Sequence, residues 1–167
     1  MKELEGFDEL ARSFGNLSHD IPQKDIGRAV KKGAVIVQSE IKKHAPKRFG
    51  DLRSGIILHK EKNRTKGKVG YDIMMDPDKN SIFQKPIMNP VRSTSPYAYY
   101  PASQEYGFFT RRPGGGMIYN RSDGSKATMN KVPGKHYMLA GAETVSEVAK
   151  SAVGKEILEV IQKELQG

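Results

Sequence analysis

Two neighbouring aspartates and four scattered histidines are the residues of this sequence best suited to catalysis or metal binding. Asp76 and Asp78, in DPDKN, could begin a metal-dependent nuclease motif. That chemistry needs a further acidic residue and a lysine on a following strand, and the sequence supplies neither. We therefore interpret Asp-Pro-Asp as a turn. The histidines show no close metal-ligand spacing and are expected to be structural or exposed: His19, His44, His59 and His136.

Other catalytic patterns are missing from the sequence. There is no cysteine, which excludes disulfides, thiolate nucleophiles and cysteine-ligated metals. The glycine run at residues 114–116 has no lysine in the place that a phosphate-binding loop requires, and no GxSxG motif occurs. No enzyme activity, metal or cofactor is predicted. No run of eighteen apolar residues and no signal-like N-terminus is present, so we expect a protein without a membrane segment, made in a cytoplasm.

Most of the excess positive charge lies in one short stretch. The net charge is +9, and residues 42–68 alone carry ten basic and two acidic side chains. A patch of one sign attracts polyanions, nucleic acid first among them, although a solvated hairpin that keeps the protein soluble fits equally well. The candidate contacts with DNA or with a partner protein are Lys47, Arg48, Arg53, Lys60, Lys62, Arg64, Lys66 and Lys68.

A second candidate surface is rich in aromatic residues. Tyrosine and arginine dominate protein–protein hot spots, and such rings can also stack on bases. We favour a protein contact over a nucleic-acid contact here. The candidate interface residues are Tyr97, Tyr99, Tyr100, Glu105, Tyr106, Phe108, Phe109, Arg111 and Arg112.

Two helices are predicted before these surfaces. An i, i+3, i+4 rhythm of apolar residues predicts a helix over residues 3–14. A second stripe, from Ile26 to Ile41, predicts a helix that starts at Asp20 or Pro22 and ends near His44. Pro46 disfavours a helical conformation at the residue before it, which sets this end.

The rest of the chain predicts a hairpin, an irregular segment and a final helix. Residues 55–62 and 68–75 form two apolar runs around a charged tip, typical of an antiparallel hairpin. Residues 76–132 lack periodicity, although MIYN and KATMN could form a second small hairpin and the aromatic runs a short strand or a loop anchor. An amphipathic helix follows from about residue 140 to 165. The predicted fold class is α+β, with the last helix packed on the sheet.

A family resemblance rests on the stretch IKKHAPKRFGDLRSGI, residues 41–56. It resembles a pattern in the tail-completion, or head–tail joining, proteins of long-tailed bacteriophages and prophages. The matching residues are Ala45, Pro46, Lys47, Arg48, Gly50, Leu52, Arg53 and Ser54. Later segments are similar to the same family: Tyr97-Ala98, Glu105-Tyr106-Gly107 with Thr110, Val132-Pro133, His136 to Leu139, and Ala142.

The resemblance implies a single α+β domain over residues 1–167, with insertions at 76–96 and 113–131. Phe108-Phe109 also separates Gly107 from Thr110, a departure from the family pattern. By resemblance, the chain is expected to be a structural protein of the virion neck or tail terminus, assembled in the host cytoplasm. Its expected partners are copies of itself in a sixfold ring, the tail tube protein, the head connector, and DNA passing through the lumen.

Two alternatives remain open from the sequence. The basic stretch and the mixture of aromatic residues with arginine also fit a small nucleic-acid-binding protein, although no recognition-helix or RNA-binding signature is present. The second alternative is a hydrolase or nuclease using Asp76 and Asp78, for which a complete site cannot be assembled.

Overall fold

The computed structural model describes residues 23–47, 50–62, 68–86, 97–111, 117–120 and 126–166. The helix predicted over residues 3–14 lies outside them, as do Arg48, Arg64, Lys66 and Arg112. Within the described residues, helices accompany three small sheets, which confirms the predicted α+β class. Chain contacts divide the protein into two compact units. Unit 1 comprises Met1–Ser39, Leu58–Met74 and Val145–Gly167, and unit 2 comprises Glu40–Ile57 and Met75–Thr144. The prediction of one domain with two insertions stays a prediction.

Helix α1, Gln23–His44, follows the predicted apolar stripe and ends at the predicted residue. Ala29 and Ile41 are buried on this stripe. The Ala45 backbone N–H donates to the Ile41 carbonyl at 2.9 Å, which adds one last helical hydrogen bond before Pro46. The three residues of the last turn are basic or histidine, where positive charge favours the negative end of the helix dipole.

Unit 1 contains most of α1, most of the last helix, and the part of a two-stranded sheet that falls within Leu58–Met74. The sheet pairs β1, Ile56–Lys60, with β2, Tyr71–Met75, as the hairpin prediction required. The last helix, named α5 after its place in the chain, spans Tyr137–Gln166. At Gly33 of α1 a Cβ would collide with Val153 and lie 3.2 Å from the Ala149 carbonyl oxygen, so α1 and α5 are in close contact there. Lys32 and Glu156 form an ion pair between the same two helices.

Unit 2 begins with the end of α1 and contains several short elements. They are α2, Asp51–Ser54; a 3₁₀ turn, Pro77–Lys79; α3, Asn80–Phe83; β3, Gln84–Pro86; β4, Tyr97–Tyr99; and α4, Tyr100–Tyr106. Strands β3 and β4 pair antiparallel, with Lys85 opposite Ala98. Helix α4 has a proline at its start, a position where the missing N–H costs nothing.

A three-stranded antiparallel sheet completes unit 2. Its strands are β5, Gly107–Arg111; β6, Met117–Asn120; and β7, Lys126–Pro133, in the order β5-β7-β6. The pairing of β6 with β7 confirms the small hairpin predicted from MIYN and KATMN. The segment after Asp76 is thus more regular than its lack of periodicity predicted. Apart from the eight-residue β7, the elements of this segment have three to seven residues, which is too short to show a repeat that sequence patterns can detect.

The core of unit 2 is apolar and lies between these short elements. Its buried residues are Ile41, Ala45, Leu52, Ile56, Phe83 and Tyr137. The Phe83 ring meets the Tyr99 ring edge to face, with centroids 6.1 Å apart. The first residue of α5, Tyr137, is 1% exposed, and its hydroxyl lies 3.8 Å from the Met75 sulfur at the end of β2. This contact confirms that the C-terminal helix packs on the sheet.

Candidate interaction surfaces

The segment of unit 2 between α1 and β1, residues 45–56, is called the joint, and a polar side chain in it bonds to the end of α1. The Arg53 guanidinium donates to the Lys43 carbonyl at 2.9 Å and to the Ala45 carbonyl at 3.3 Å. These carbonyls belong to the end of α1, where backbone acceptors lack helical partners. Arg53, one of the predicted contact residues, therefore caps α1. Its predicted contact with DNA or with a partner stays a prediction.

The other basic residues of the predicted contact surface are exposed where the structure describes them. Lys47 is exposed in the joint, and Lys60, Lys62 and Lys68 are exposed at the ends of the hairpin strands. Lys68 lies 3.9 Å from the Glu61 carboxylate. The remainder of the tip, residues 63–67, lies outside the described residues.

Glu105 is a predicted interface residue that the structure places inside unit 2. Its side chain belongs to a residue only 6% exposed, and its carboxylate accepts from the Met138 N–H at 2.9 Å and the Leu139 N–H at 3.3 Å. These N–H groups lie in the first turn of α5, where no helical acceptor exists. A carboxylate there also complements the helix dipole. Glu105 thus caps α5, which explains why the helix begins at Tyr137 and not near residue 140.

Gly107 and Gly134 allow Glu105 to reach the start of α5, because a Cβ on either would collide with the backbone of the other segment. Gly107 has φ +85° and ψ −179°, a conformation almost restricted to glycine. A Cβ on Gly107 would collide with the Val132 carbonyl and lie 2.7 Å from the Gly134 nitrogen. The backbone of His136, at φ 47°, donates to the Glu105 carbonyl at 3.1 Å. At the Glu-aromatic-Gly motif, residues 105–107, the backbone therefore crosses the segment before α5 in close contact, and this contact fixes the start of the helix.

Tyr137 is buried beside this cap. Burial first, and the neighbouring Glu105 carboxylate second, raise the pKa of the Tyr137 phenol well above its usual value. Burial likewise raises the pKa of Tyr99. Tyr137 lies inside unit 2, and Tyr99, which the sequence grouped with the interface residues, is half-buried against Phe83.

The aromatic segment, residues 97–112, contains four rings that are exposed to solvent. Tyr106 is 72% exposed, Tyr97 51%, Phe109 50% and Phe108 40%. Phe108 and Phe109 are neighbours in β5 and so point to opposite faces of the sheet. In the sheet as described, β5 is an edge strand. The described residues leave Phe108 and Phe109 partly exposed on the two faces of this edge, which is the state expected of a strand that meets another protein.

A groove in unit 1 has basic residues that the sequence analysis did not select. Helix α1 contributes Lys24, Gly27, Arg28 and Lys31 to its wall, and the groove has a volume of about 770 Å³. The three cations follow an i, i+4, i+7 spacing, which places them on one side of a helix. That spacing was available in the sequence, but charges on a predicted helix are most often a solvated face.

The hairpin forms the opposite wall of this basic groove. Lys60, Glu61 and Tyr71 line it, with Val69 at the closest approach to α1. A Cβ on Gly27 would lie 3.7 Å from the Val69 side chain, an ordinary contact, so the helix and the hairpin meet at this glycine. The groove therefore unites one predicted contact residue, Lys60, with three cations of α1.

The aspartates of the possible nuclease motif form a turn, as the sequence analysis interpreted them. The Asp76 carboxylate accepts from the Asp78 N–H at 3.0 Å and starts the 3₁₀ turn. Across the described ranges, no group of three or more histidine, cysteine, aspartate or glutamate residues could hold a metal ion. No helix in the same ranges has the length and apolar character that crossing a membrane requires.

An α+β scaffold with an exposed aromatic edge strand and basic surfaces has the features of a binding and assembly protein. The family comparison gives the particular class. The chain belongs to the bacteriophage HK97-gp10-like family, described as a tail component, whose model matches residues 8–101. The chain is thus a structural component of a phage tail, and its place is in the virion. The match includes the joint and Tyr97-Ala98 and ends before Glu105.

The comparisons with curated proteins and with solved structures found no match. The part of the resemblance that lies beyond the matched residues, over residues 102–112 and 132–167, therefore stays a prediction.

Proposed function

We propose that this tail component forms a homo-oligomeric ring at the neck or tail terminus, where it caps the tail tube and meets the head connector. Family membership supports the tail assignment. The sixfold symmetry, the tube protein and the connector as partners, DNA in the lumen and assembly in the host cytoplasm are carried from the resemblance. The observation that carries the ring proposal is the uncovered β5 edge with its exposed rings.

The β5 edge supports self-assembly for two physical reasons. An edge strand presents unpaired N–H and C=O groups that another strand can join. Tyr106, Phe108 and Phe109 would then be covered, and burial of aromatic rings is a main source of binding energy at protein interfaces. Glu105 and Tyr99 serve inside unit 2 and would act on this interface by holding α4 and β4 in place.

The test is the mass of the purified protein in solution, alone and with assembled tail tubes. The wild type should form a defined ring or cap tube ends. A double variant, Tyr106→Ser with Phe109→Ser, should stay monomeric while its melting temperature changes by no more than about 2 °C, because both rings are already exposed.

A matched control removes exposed apolar side chains elsewhere. Val148 and Leu158 are 59% and 58% exposed on the part of α5 in unit 1. Val148→Ser with Leu158→Ser should keep the ring. A wild-type protein that stays monomeric alone and ignores tube ends would overturn the proposal, and so would a ring that survives loss of the aromatic pair.

A further inference from the structure

We infer that the basic groove of unit 1 binds the phosphate backbone of a polynucleotide, with Lys24, Lys31 and Lys60 as the contacting cations. This goes beyond ring assembly, because the groove lies within one unit of one chain. It shares Lys60 with the DNA contact expected from the sequence, but its other cations lie on α1 and not on the joint or the hairpin tip.

The first step of the argument is the charge of the groove. Arg28 is paired with Asp25 at 3.1 Å, and Glu61, the acidic residue of the lining, faces Lys68 at 3.9 Å. Among the described residues, by contrast, Lys24, Lys31 and Lys60 have no ion-pair partner, and all three are exposed. A concave site with several unneutralised lysines has a positive potential that concentrates anions.

The second step is the spacing of the cations. Lys24 and Lys31 are seven residues apart on α1, which is about 10.5 Å along the helix axis. One strand of B-form DNA has a phosphate every ~3.4 Å of axis, so this distance corresponds to about three phosphate steps. Lys60 faces the two from the hairpin side of the groove. A polyanion lying along the groove can therefore contact all three lysines.

The third step distinguishes a polynucleotide from an acidic protein. Protein interfaces are depleted of lysine and depend on apolar and aromatic anchors. Among the residues of unit 1 that the structure describes, the exposed large apolar ones are Val35, Val148 and Leu158, and they do not line this groove. Tyr71 and Val69 line it but are half-buried. A lysine-rich groove with so little exposed apolar surface suits phosphates, which point charges bind without reading sequence.

The experiment measures binding of the full-length protein to fluorescein-labelled DNA by fluorescence anisotropy across a series of NaCl concentrations. A 20-base-pair duplex and one of its strands serve as separate probes. The test variant is Lys24→Gln with Lys31→Gln. The control, Lys155→Gln with Lys163→Gln, removes the same charge from exposed positions on α5 of the same unit.

The groove variant should bind at least one probe about tenfold more weakly than the wild type at physiological salt. The slope of log affinity against log salt should fall by about 1.8 on duplex DNA, because each lost phosphate contact removes about 0.9. The control should stay within about twofold. Lys24 lies in the first turn of α1, where a positive charge opposes the helix dipole, and Lys31 has no ion-pair partner among the described residues, so the groove variant should melt no lower than the wild type.

Three results would overturn the inference. Equal losses in both variants would mean that net charge alone binds DNA, and no loss in either would place binding elsewhere. Polyglutamate that displaces the DNA at an equal concentration of charge would identify an acidic protein as the ligand. Ring formation is measured separately by mass, so failure of either proposal does not decide the other.

Discussion

The joint and helix cap of unit 2 and the basic groove of unit 1 both contain charged residues on or beside helices, but these residues have different partners. In unit 2, Arg53 and Glu105 hydrogen-bond to backbone groups at the end of α1 and the start of α5. In unit 1, Lys24 and Lys31 point into an open groove and have no ion-pair partner in the described ranges. The charges of Arg53 and Glu105 in unit 2 therefore hold the fold, whereas those of Lys24 and Lys31 in unit 1 are available to a ligand.

This difference indicates which charged residues of the chain are available to bind a ligand. A charged residue that follows or precedes a helix end within a turn-rich stretch competes for the unpaired backbone groups there. Lys24 lies at the start of α1, where the unpaired backbone groups are N–H donors that a lysine cannot bond, and Lys31 lies where the backbone groups are already bonded, so both side chains remain available. Part of the charge of a basic stretch can serve to close a helix, as Arg53 does, so charge density alone does not identify the residues that are available to a ligand.

The largest effect should come from removing the cap of α5. Glu105→Ala should lower the free energy of unfolding by about 2–3 kcal/mol, since it leaves two backbone N–H groups without an acceptor in a buried place. Urea denaturation followed by far-ultraviolet circular dichroism measures this free energy, since the chain has no tryptophan whose fluorescence could report unfolding. Glu105→Gln keeps one acceptor oxygen and should lose about half as much.

The result for Glu105→Ala can contradict the conclusion that Glu105 holds the fold of unit 2. If Glu105→Ala costs less than ~0.5 kcal/mol and instead abolishes assembly on tail tubes, Glu105 acts at an interface as the sequence first suggested. The cap would then contribute little to the fold.

An effect of intermediate size is expected at Arg53. The free energy of unfolding and the DNA affinity are both measured, for an Arg53 variant and for the groove variant. Arg53→Ala should lower the free energy of unfolding by about 1–2 kcal/mol, because the end of α1 loses two hydrogen bonds from a charged donor. Its DNA affinity should stay within about twofold. Lys24→Gln with Lys31→Gln should show the reverse pattern, with weaker DNA binding and unchanged stability.

Arg53→Lys is the matched control for the guanidinium. Lysine keeps the charge but lacks the planar fork that reaches two carbonyls, so it should restore less than half of the lost stability. Full restoration by lysine, or a parallel loss of DNA affinity in Arg53→Ala, would mean that charge at the joint acts on a ligand.

The sequence predicted the long elements of the fold well because long helices repeat their pattern. The stripe from Ile26 to Ile41 predicted α1, and the proline after Ala45 predicted its end at His44. The hairpin strands were also found, since two apolar runs flanked a charged turn. Short elements without a neighbouring strand of clear pattern, such as α4, could not be found, because their conformation depends on contacts with distant segments.

The candidate sites were predicted less completely, for a related reason. Sequence gives the type of a side chain but not its hydrogen-bond partner, so Arg53 and Glu105 resembled surface residues. The contacts that bury Glu105 come from Met138 and Leu139, more than thirty residues away. The groove was missed for the opposite reason, because its two walls come from α1 and from a hairpin that follows much later in the chain.

The smallest effect concerns the phenol beside the cap and appears only at high pH. The pKa of Tyr137 is raised in the folded protein, whereas an unfolded tyrosine has a pKa of about 10. Below pH 10 both states keep the proton and stability is complete. Above it the unfolded state loses the proton first, so the free energy of unfolding should fall by up to about 1.4 kcal/mol per pH unit. Tyr137→Phe should remove much of this dependence between about pH 10 and 12. Tyr106→Phe, at a ring 72% exposed, should leave it intact. Equal slopes in the wild type and Tyr137→Phe would show that the phenol beside Glu105 is solvated, and that the interior of unit 2 is as open to water as the groove of unit 1.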